Sequence, residues 1–292
     1  MIAVIFALLC AVSNATASIL QRREARTMPQ SMAFRPALIW ALLHRPAWLG
    51  GVAALIAGFV FQATALSFGA LALVQPLLVV ELPLTMIGIS LVLKATVDRQ
   101  SWLATAALTG GLVLFLLTAA PTTSGRAAIS GVEWALAGGA TVLAVAGLIL
   151  VSRTAGPIGR AATLGVAAGI GFALTATFMR KSTIVLRGDP SALLTSWQPY
   201  AMVATGICSF FLLQNAYQSG SLIAAQPAIT ISDPVASVLY GTTLFHERLR
   251  GGPWIAAELV GVALMLYGSV LLARSPAIQR MRDAPPARPS ST

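Results

Sequence analysis

Two carboxylates stand inside apolar runs, and they are the side chains most able to do chemistry. Glu81 lies in LVQPLLVVELPLTMIG, two residues before Pro83, and Asp233 lies in AITISDPVASVL, directly before Pro234. A charge at the centre of a bilayer costs about 2.5–3.5 kcal/mol on insertion scales, so such a group faces a water-filled cavity, holds a cation or carries a proton. Gln226 and Asp233 are seven residues apart, which stacks them on one helical face about 10.5 Å apart. Glu81 is one position out of register with Asp233, so the two acids are not repeat mates. Asn14, Gln62, Gln75, Trp197, Gln198, Gln214, Asn215 and Thr230 can line the same space. An intramembrane amide otherwise serves as an interhelical bond, worth about 0.6 kcal/mol on average. Asp233 is the first candidate for binding substrate or a coupling ion, with Glu81 second.

Enzyme chemistry is poorly supplied, and no cofactor is implied. The two histidines, His44 and His246, sit near the edges of apolar runs, and the sequence holds no HExxH, GxSxG or P-loop pattern. His246, Glu247 and Arg248 read as interfacial charges, and Glu258 as a residue that snorkels. Cys10 and Cys208 lie inside apolar runs and read as small core residues.

The elements that carry these residues follow from composition. Of 292 residues, 57% are hydrophobic and 10% charged, with a mean hydropathy of +0.82. A soluble domain carries about 25% charged residues. A chain this apolar belongs in a bilayer, with no length left for a soluble catalytic domain. A window of about 19 residues gives nine spans, at 2–20, 48–68, 70–94, 101–119, 132–152, 160–180, 194–214, 219–245 and 254–273. The connections at Gly69 and Asn215–Gln218 are short enough to force hairpins. Residues 34–43 reach only about 15 Å and read as an interfacial helix, and 276–292 as a disordered cytoplasmic tail. No Lys or Arg precedes the first apolar run, so it reads as an uncleaved span rather than a signal peptide.

The net charge of +10 is topogenic rather than a nucleic-acid face, because the cations sit in short loops and the tail. With nine spans, 13 of the 19 Lys and Arg fall on one side and six on the other. The excess of basic residues predicts a cell-membrane protein with its N-terminus outside and its C-terminus in the cytoplasm.

An internal repeat organises the spans. At a gap-free offset of 151 residues, Gly69 matches Gly220, Leu71 Leu222, Gln75 Gln226, Pro76 Pro227, Pro83 Pro234, Arg99 Arg250 and Gly110 Gly261. The third and eighth spans carry the core of the match, and an odd and an even span run in opposite directions. The sequence therefore predicts an all-α polytopic membrane protein of nine transmembrane helices in two inverted repeats. Residues 1–125 form the first half, 126–275 the second and 276–292 the tail. Inverted repeats with proline-interrupted central helices are the signature of secondary transporters. Pro76, Pro83, Pro227 and Pro234 free the carbonyls of Ala72, Val79, Ile223 and Thr230 and read as helix-break or gating positions lining a cavity.

These residues resemble the drug/metabolite transporter superfamily, with the likeness strongest to its NIPA-like branch and more distant to EamA-type transporters. Residues 58–83 resemble that branch's second-to-third-span block. Gln62 falls on its Asn and Gln75-Pro76-Leu77 on its Thr-Pro-Leu, while 211–234 and FHERLR (245–250) resemble the second block. The resemblance implies transport of a small solute by alternating access, with a midplane site between spans three and eight. Eukaryotic relatives of the branch are associated with magnesium transport; EamA-type relatives are mostly exporters of metabolites, amino acids or drugs. Phe59 stands where the branch has a membrane Glu, which favours an organic solute, because Mg²⁺ wants oxygen ligands. Under the cation alternative, Asp233 and Glu81 are the metal ligands. The alternative from another class is a non-transporting membrane scaffold or accessory subunit. The expected partners are the lipid bilayer and a small-molecule or cation substrate, with a homodimer left open and no nucleic acid.

Overall fold

The computed structural model describes residues 1–25, 44–93, 98–122, 129–219 and 222–274. The expected interfacial helix at 34–43, the boundary at 125/126 and the tail lie outside these residues. The described chain is helical: α1 (Ile2–Ala25), α2 (Pro46–Phe68), α3 (Leu71–Leu78), α4 (Glu81–Leu93), α5 (Arg99–Ala119), α6 (Gly131–Thr154), α7 (Pro157–Gly188), α8 (Ala192–Thr195), α9 (Gln198–Gln218), α10 (Leu222–Thr243) and α11 (Trp254–Ala273). Among the described residues seven segments are long and apolar enough to cross a membrane: α1, α2, the stretch of α3 and α4 from Leu71 to Gly88, α5, α6, α7 and α11. The outward faces are apolar too, with Val132, Leu136, Leu143, Phe210, Phe211 and Leu259 all exposed. Helices that are apolar on both faces belong in lipid, and the protein is a multi-pass helical membrane protein. The helices α9 and α10 are of spanning length, at 21 and 22 residues, but carry more polar side chains.

Local chemistry sets the helix ends. Pro46 and Pro157 each open a helix at its first position, where a missing N–H costs nothing. Asp98 caps α5, accepting from the backbone N–H of Gln100 and the hydroxyl of Ser101. Ser130 and Glu133 form a reciprocal capping box at α6. After α7, the hydroxyl and backbone N–H of Ser191 both donate to Asp189 and hold its carboxyl below the usual carboxylate range.

Three elements depart from the expected spans. The third span breaks at Val79-Val80 into α3 and α4. Pro83 cannot donate to the carbonyl of Val79, and that carbonyl accepts from Leu82 at 3.1 Å instead, tightening the turn. Its repeat mate Pro234 leaves α10 continuous. The sixth span does not stop at Arg180 but runs 32 residues to Gly188, because Ile184, Val185 and Leu186 restore an apolar run after Arg180-Lys181. Asn215–Gln218 is the last turn of α9 rather than a connection. Cys10 is buried as expected, but Cys208 faces outward on α9.

Small residues fix the packing. The pairs α5–α11, α7–α10, α1–α2 and α7–α9 make the most extensive helix contacts. A Cβ added at Gly111 would lie 2.6 Å from the Gly261 carbonyl, and one at Gly261 would lie 2.8 Å from the Gly111 carbonyl. One at Gly268 would lie 2.7 Å from the Ala104 carbonyl, so α5 and α11 cross antiparallel with backbones in contact. Gly165 faces Ala225 and Gly169 faces Ser232, which makes α7 and α10 parallel; Gly51 faces Gln21 and Gly58 faces Asn14, which makes α1 and α2 antiparallel. One apolar core gathers Ala7, Leu66, Leu71, Val74, Phe178 and Phe245, and a second gathers Met86, Leu108, Leu112 and Met265. The α5–α11 crossing predicts a sharp contrast between adjacent glycines. Gly111→Ala should destabilise the detergent-solubilised protein by about 1–3 kcal/mol through overpacking. Gly110→Ala, whose Cβ meets nothing within 4 Å, should leave the thermal midpoint unchanged or raised.

Candidate functional site

The broken third span puts Glu81 at the first position of α4, where free backbone N–H groups favour a carboxylate. Asn14 of α1 donates from Nδ2 to Glu81 Oε2 at 3.1 Å. Gly58 of α2 lies against Asn14 Oδ1, so α1, α2 and α4 meet at one polar junction. Asp233 belongs to another group of helices. It accepts from Ser237 Oγ at 3.2 Å on its own helix, and its backbone lies against Gly169 of α7. The two carboxylates are thus held by different helix sets.

The other expected lining residues divide further. Gln226 accepts from Tyr217 at 3.0 Å, and Thr230 donates back to the Gln226 carbonyl at 2.8 Å. Asn215 turns onto its own helix, donating to the Phe211 carbonyl. Trp197 is half exposed and packs edge-on against Trp134 and Phe178. Gln62 is partly buried on α2. Gln75 is buried, and its amide nitrogen has no hydrogen-bond partner among the described residues. Among those residues no group of three or more His, Cys, Asp and Glu side chains is arranged to hold a metal.

Two of the four prolines, Pro76 and Pro234, meet at a pocket, and Pro83 and Pro227 do not line it. A pocket of about 130 Å³ is lined by Pro76 of α3, Phe115 of α5, Val262 and Met265 of α11, and a stretch of α10 from Ile231 through Pro234 to Leu239. Its wall is almost wholly apolar, and neither Glu81 nor Asp233 lines it. A wider groove of about 470 Å³ lies on the opposite side of α10, bounded by α6 and α7, with Glu133, Thr141 and Tyr240 in its wall. Thr141 and Tyr240 share a hydrogen bond of 2.6 Å across it.

The charged pair that sequence reasoning missed is Arg180 with Glu247. Glu247 is not interfacial; it is 4% exposed, and Arg180, counted as a loop charge, is 6% exposed inside α7. They form an ion pair. Glu247 also accepts from the backbone N–H of Leu71 at 2.6 Å and of Ala72 at 2.9 Å, closing the N-terminus of α3. The Arg180 guanidinium lies over the Phe245 ring, 4.2 Å from its centroid. The signal in the sequence was the apolar run after Lys181, which keeps Arg180 within a helix. His246 is exposed and approaches Glu133 at 3.6 Å.

No family model matches this chain, and no solved structure matches it. An uncharacterized protein of Corynebacterium glutamicum is 24% identical over 283 residues, covering 94% of this chain and 96% of its own length. The likeness extends over the whole helical array and carries no activity with it.

The junction at Glu81 yields a double-mutant test. Asn14→Leu removes the donor to a membrane-embedded carboxyl and should cost about 1–3 kcal/mol of stability. Adding Glu81→Leu should recover part of that loss, and thermal unfolding of the four proteins in one detergent reads the coupling.

Proposed function

We propose that this protein is a secondary transporter of a small organic solute, working by alternating access between two inverted halves of a nine-span array. The observation that carries the reading is the apolar pocket bounded by prolines from the third and eighth spans, with walls from the fourth and ninth. Its volume of about 130 Å³ is close to the roughly 150 Å³ of an apolar protein cavity that takes benzene, so the solute presents a compact apolar part.

Helix directions support the inversion. Shifting α2, α5 and the joined α3–α4 by 151 residues lands on α9, α11 and α10. Contacts between helix ends give the sense of each pair. Arg187, at the end of α7, donates to the Ser67 carbonyl at the end of α2. Because α2 opposes α1, α7 opposes α1. Glu247, just after α10, meets the start of α3, so α10 opposes α3, and α11 opposes α5. Two of these corresponding pairs thus run in opposite senses, as halves related by an axis in the membrane plane would. Burial of Arg180 removes one cation from the poorer side and strengthens the orientation with the C-terminus in the cytoplasm.

In this mechanism Asp233 couples transport to protons or binds a cationic group. It stands beside Pro234, which lines the pocket, two residues from the pocket-lining Ile231 and Val235. Asp233→Asn keeps size and hydrogen bonding while removing titration. Proteoliposomes loaded with a panel of metabolites and divalent metals, with and without a pH gradient, provide the test. Wild type should move one organic solute in a gradient-dependent way, and Asp233→Asn should lose at least about tenfold in rate, a barrier change of about 1.4 kcal/mol, while eluting as a folded protein. Flux of Mg²⁺ alone would assign the cation alternative, and flux of nothing would leave a scaffold. Orientation is read separately: Ser191→Cys should react with an impermeant maleimide from outside and Gly156→Cys only from the cytoplasmic side.

A further inference from the structure

Beside the α5–α11 crossing, several polar contacts join the two halves at one face of the molecule. At the level where α2 and α7 end, Arg187 holds the Ser67 carbonyl at 2.7 Å, and the backbone N–H of Arg250 donates to the Ala119 carbonyl at 2.8 Å. Thr122 pairs with Arg248, and Glu247 closes the first turn of α3 while paired with Arg180. Except for the Arg180–Glu247 pair, each of these contacts joins the first half of the chain to the second. Glu247 is buried and bridges α3 and α7 from the segment after α10.

The same carboxylate holds the first turn of the helix that brings Pro76 to the apolar pocket. Ala72, whose N–H it accepts, precedes pocket-lining Pro76 by four residues, about 6 Å along α3. Gly241 sits beneath it, and any Cβ there would strike Glu247 Oε2. The missing side chain is what lets the carboxylate settle between α10 and α3. The pair is incompletely satisfied, since Arg180 Nε has no partner among the described residues. A buried ion pair with donors left over is costly to desolvate.

We propose that Glu247, held by Arg180 and the free N–H groups at the start of α3, is the latch that keeps the pocket closed at this face, and that it must leave them for a solute to pass. This rests on the transporter reading above. The site is a carboxylate subsite filled by the chain's own acid. In an alternating-access cycle both faces cannot be open together, and a latch bridging the halves at one face is what excludes that face while the other is in use.

The test uses the full-length chain in proteoliposomes with Cys208→Ser and a reporter, Val238→Cys, in the pocket wall. An impermeant maleimide is added from the side of the latch. The reporter should react slowly in the otherwise unchanged protein. Glu247→Gln should speed labelling about tenfold or more, the change produced by moving a closed–open equilibrium by about 1.4 kcal/mol. Gly241→Ala should do the same with every charge retained, because it displaces the carboxylate sterically. If the single variants do not elute as folded protein, Arg180→Gln combined with Glu247→Gln, which buries no unpaired charge, should label at the fast rate. Unchanged labelling in folded Glu247→Gln, or in the double variant if that alone folds, overturns the latch. A Ser191→Cys reporter should react equally in all backgrounds. Fast labelling without flux of any solute would sink the transporter reading and leave the latch. Slow labelling with flux intact would sink the latch alone.

Discussion

Hydrocarbon offers no water to an unpaired backbone N–H or C=O, so each break in a membrane helix must be closed by the protein itself. The third span is where this constraint bites hardest. Its N-terminus at Leu71 and its break at Val79-Val80 both leave backbone groups without helical partners. The break is closed locally, by bonds of the three-residue type from Val79, Val80 and Leu82. The N-terminus is closed from a distance, by a carboxylate 176 positions away in sequence. That second solution ties the start of α3 to the segment just after α10. The Arg180 charge then follows, because a buried carboxylate needs a counter-charge more than two amide donors can supply.

Where no polar group has to be satisfied, glycine sets the geometry. Lipid provides no hydrophobic drive for helices to associate, so close backbone contact does the work. Gly111 and Gly261 each meet the other's carbonyl, and Gly268 meets that of Ala104, so α5 and α11 touch along their backbones. On the other side of α10, Gly165 and Gly169 let α7 approach it along its length. α10 is thereby packed tightly on one face and borders open space on two others.

The fold was legible in the sequence to the extent that one physical rule governed it. Apolar length fixed the helices, and most ends fell within a few residues because proline, Asp98 and Ser130 mark them locally. The errors came where two rules competed. Arg180-Lys181 reads as the end of a span by charge, yet a counter-ion 67 positions away keeps the first of the pair inside. Glu247 reads as interfacial because His246, Arg248 and Arg250 surround it, and nothing in a linear pattern shows that it folds back under Gly241. The candidate site suffers likewise. Periodicity placed Gln226 and Asp233 on one face but could not show that Glu81 belongs to α1 through Asn14, or that Pro76 and Pro234 share a pocket without either acid.

The three acids inside the helical array differ in the donors that hold them. Glu247 has two backbone donors and a guanidinium, and lies against Gly241. Glu81 has one side-chain donor and the N-terminus of α4. Asp233 has one hydroxyl, from a residue on its own helix. The fewer the donors holding a carboxylate, the smaller the structural cost of exchanging its partners, so the series runs from Asp233, held by one hydroxyl, through Glu81 at the junction of three helices, to Glu247.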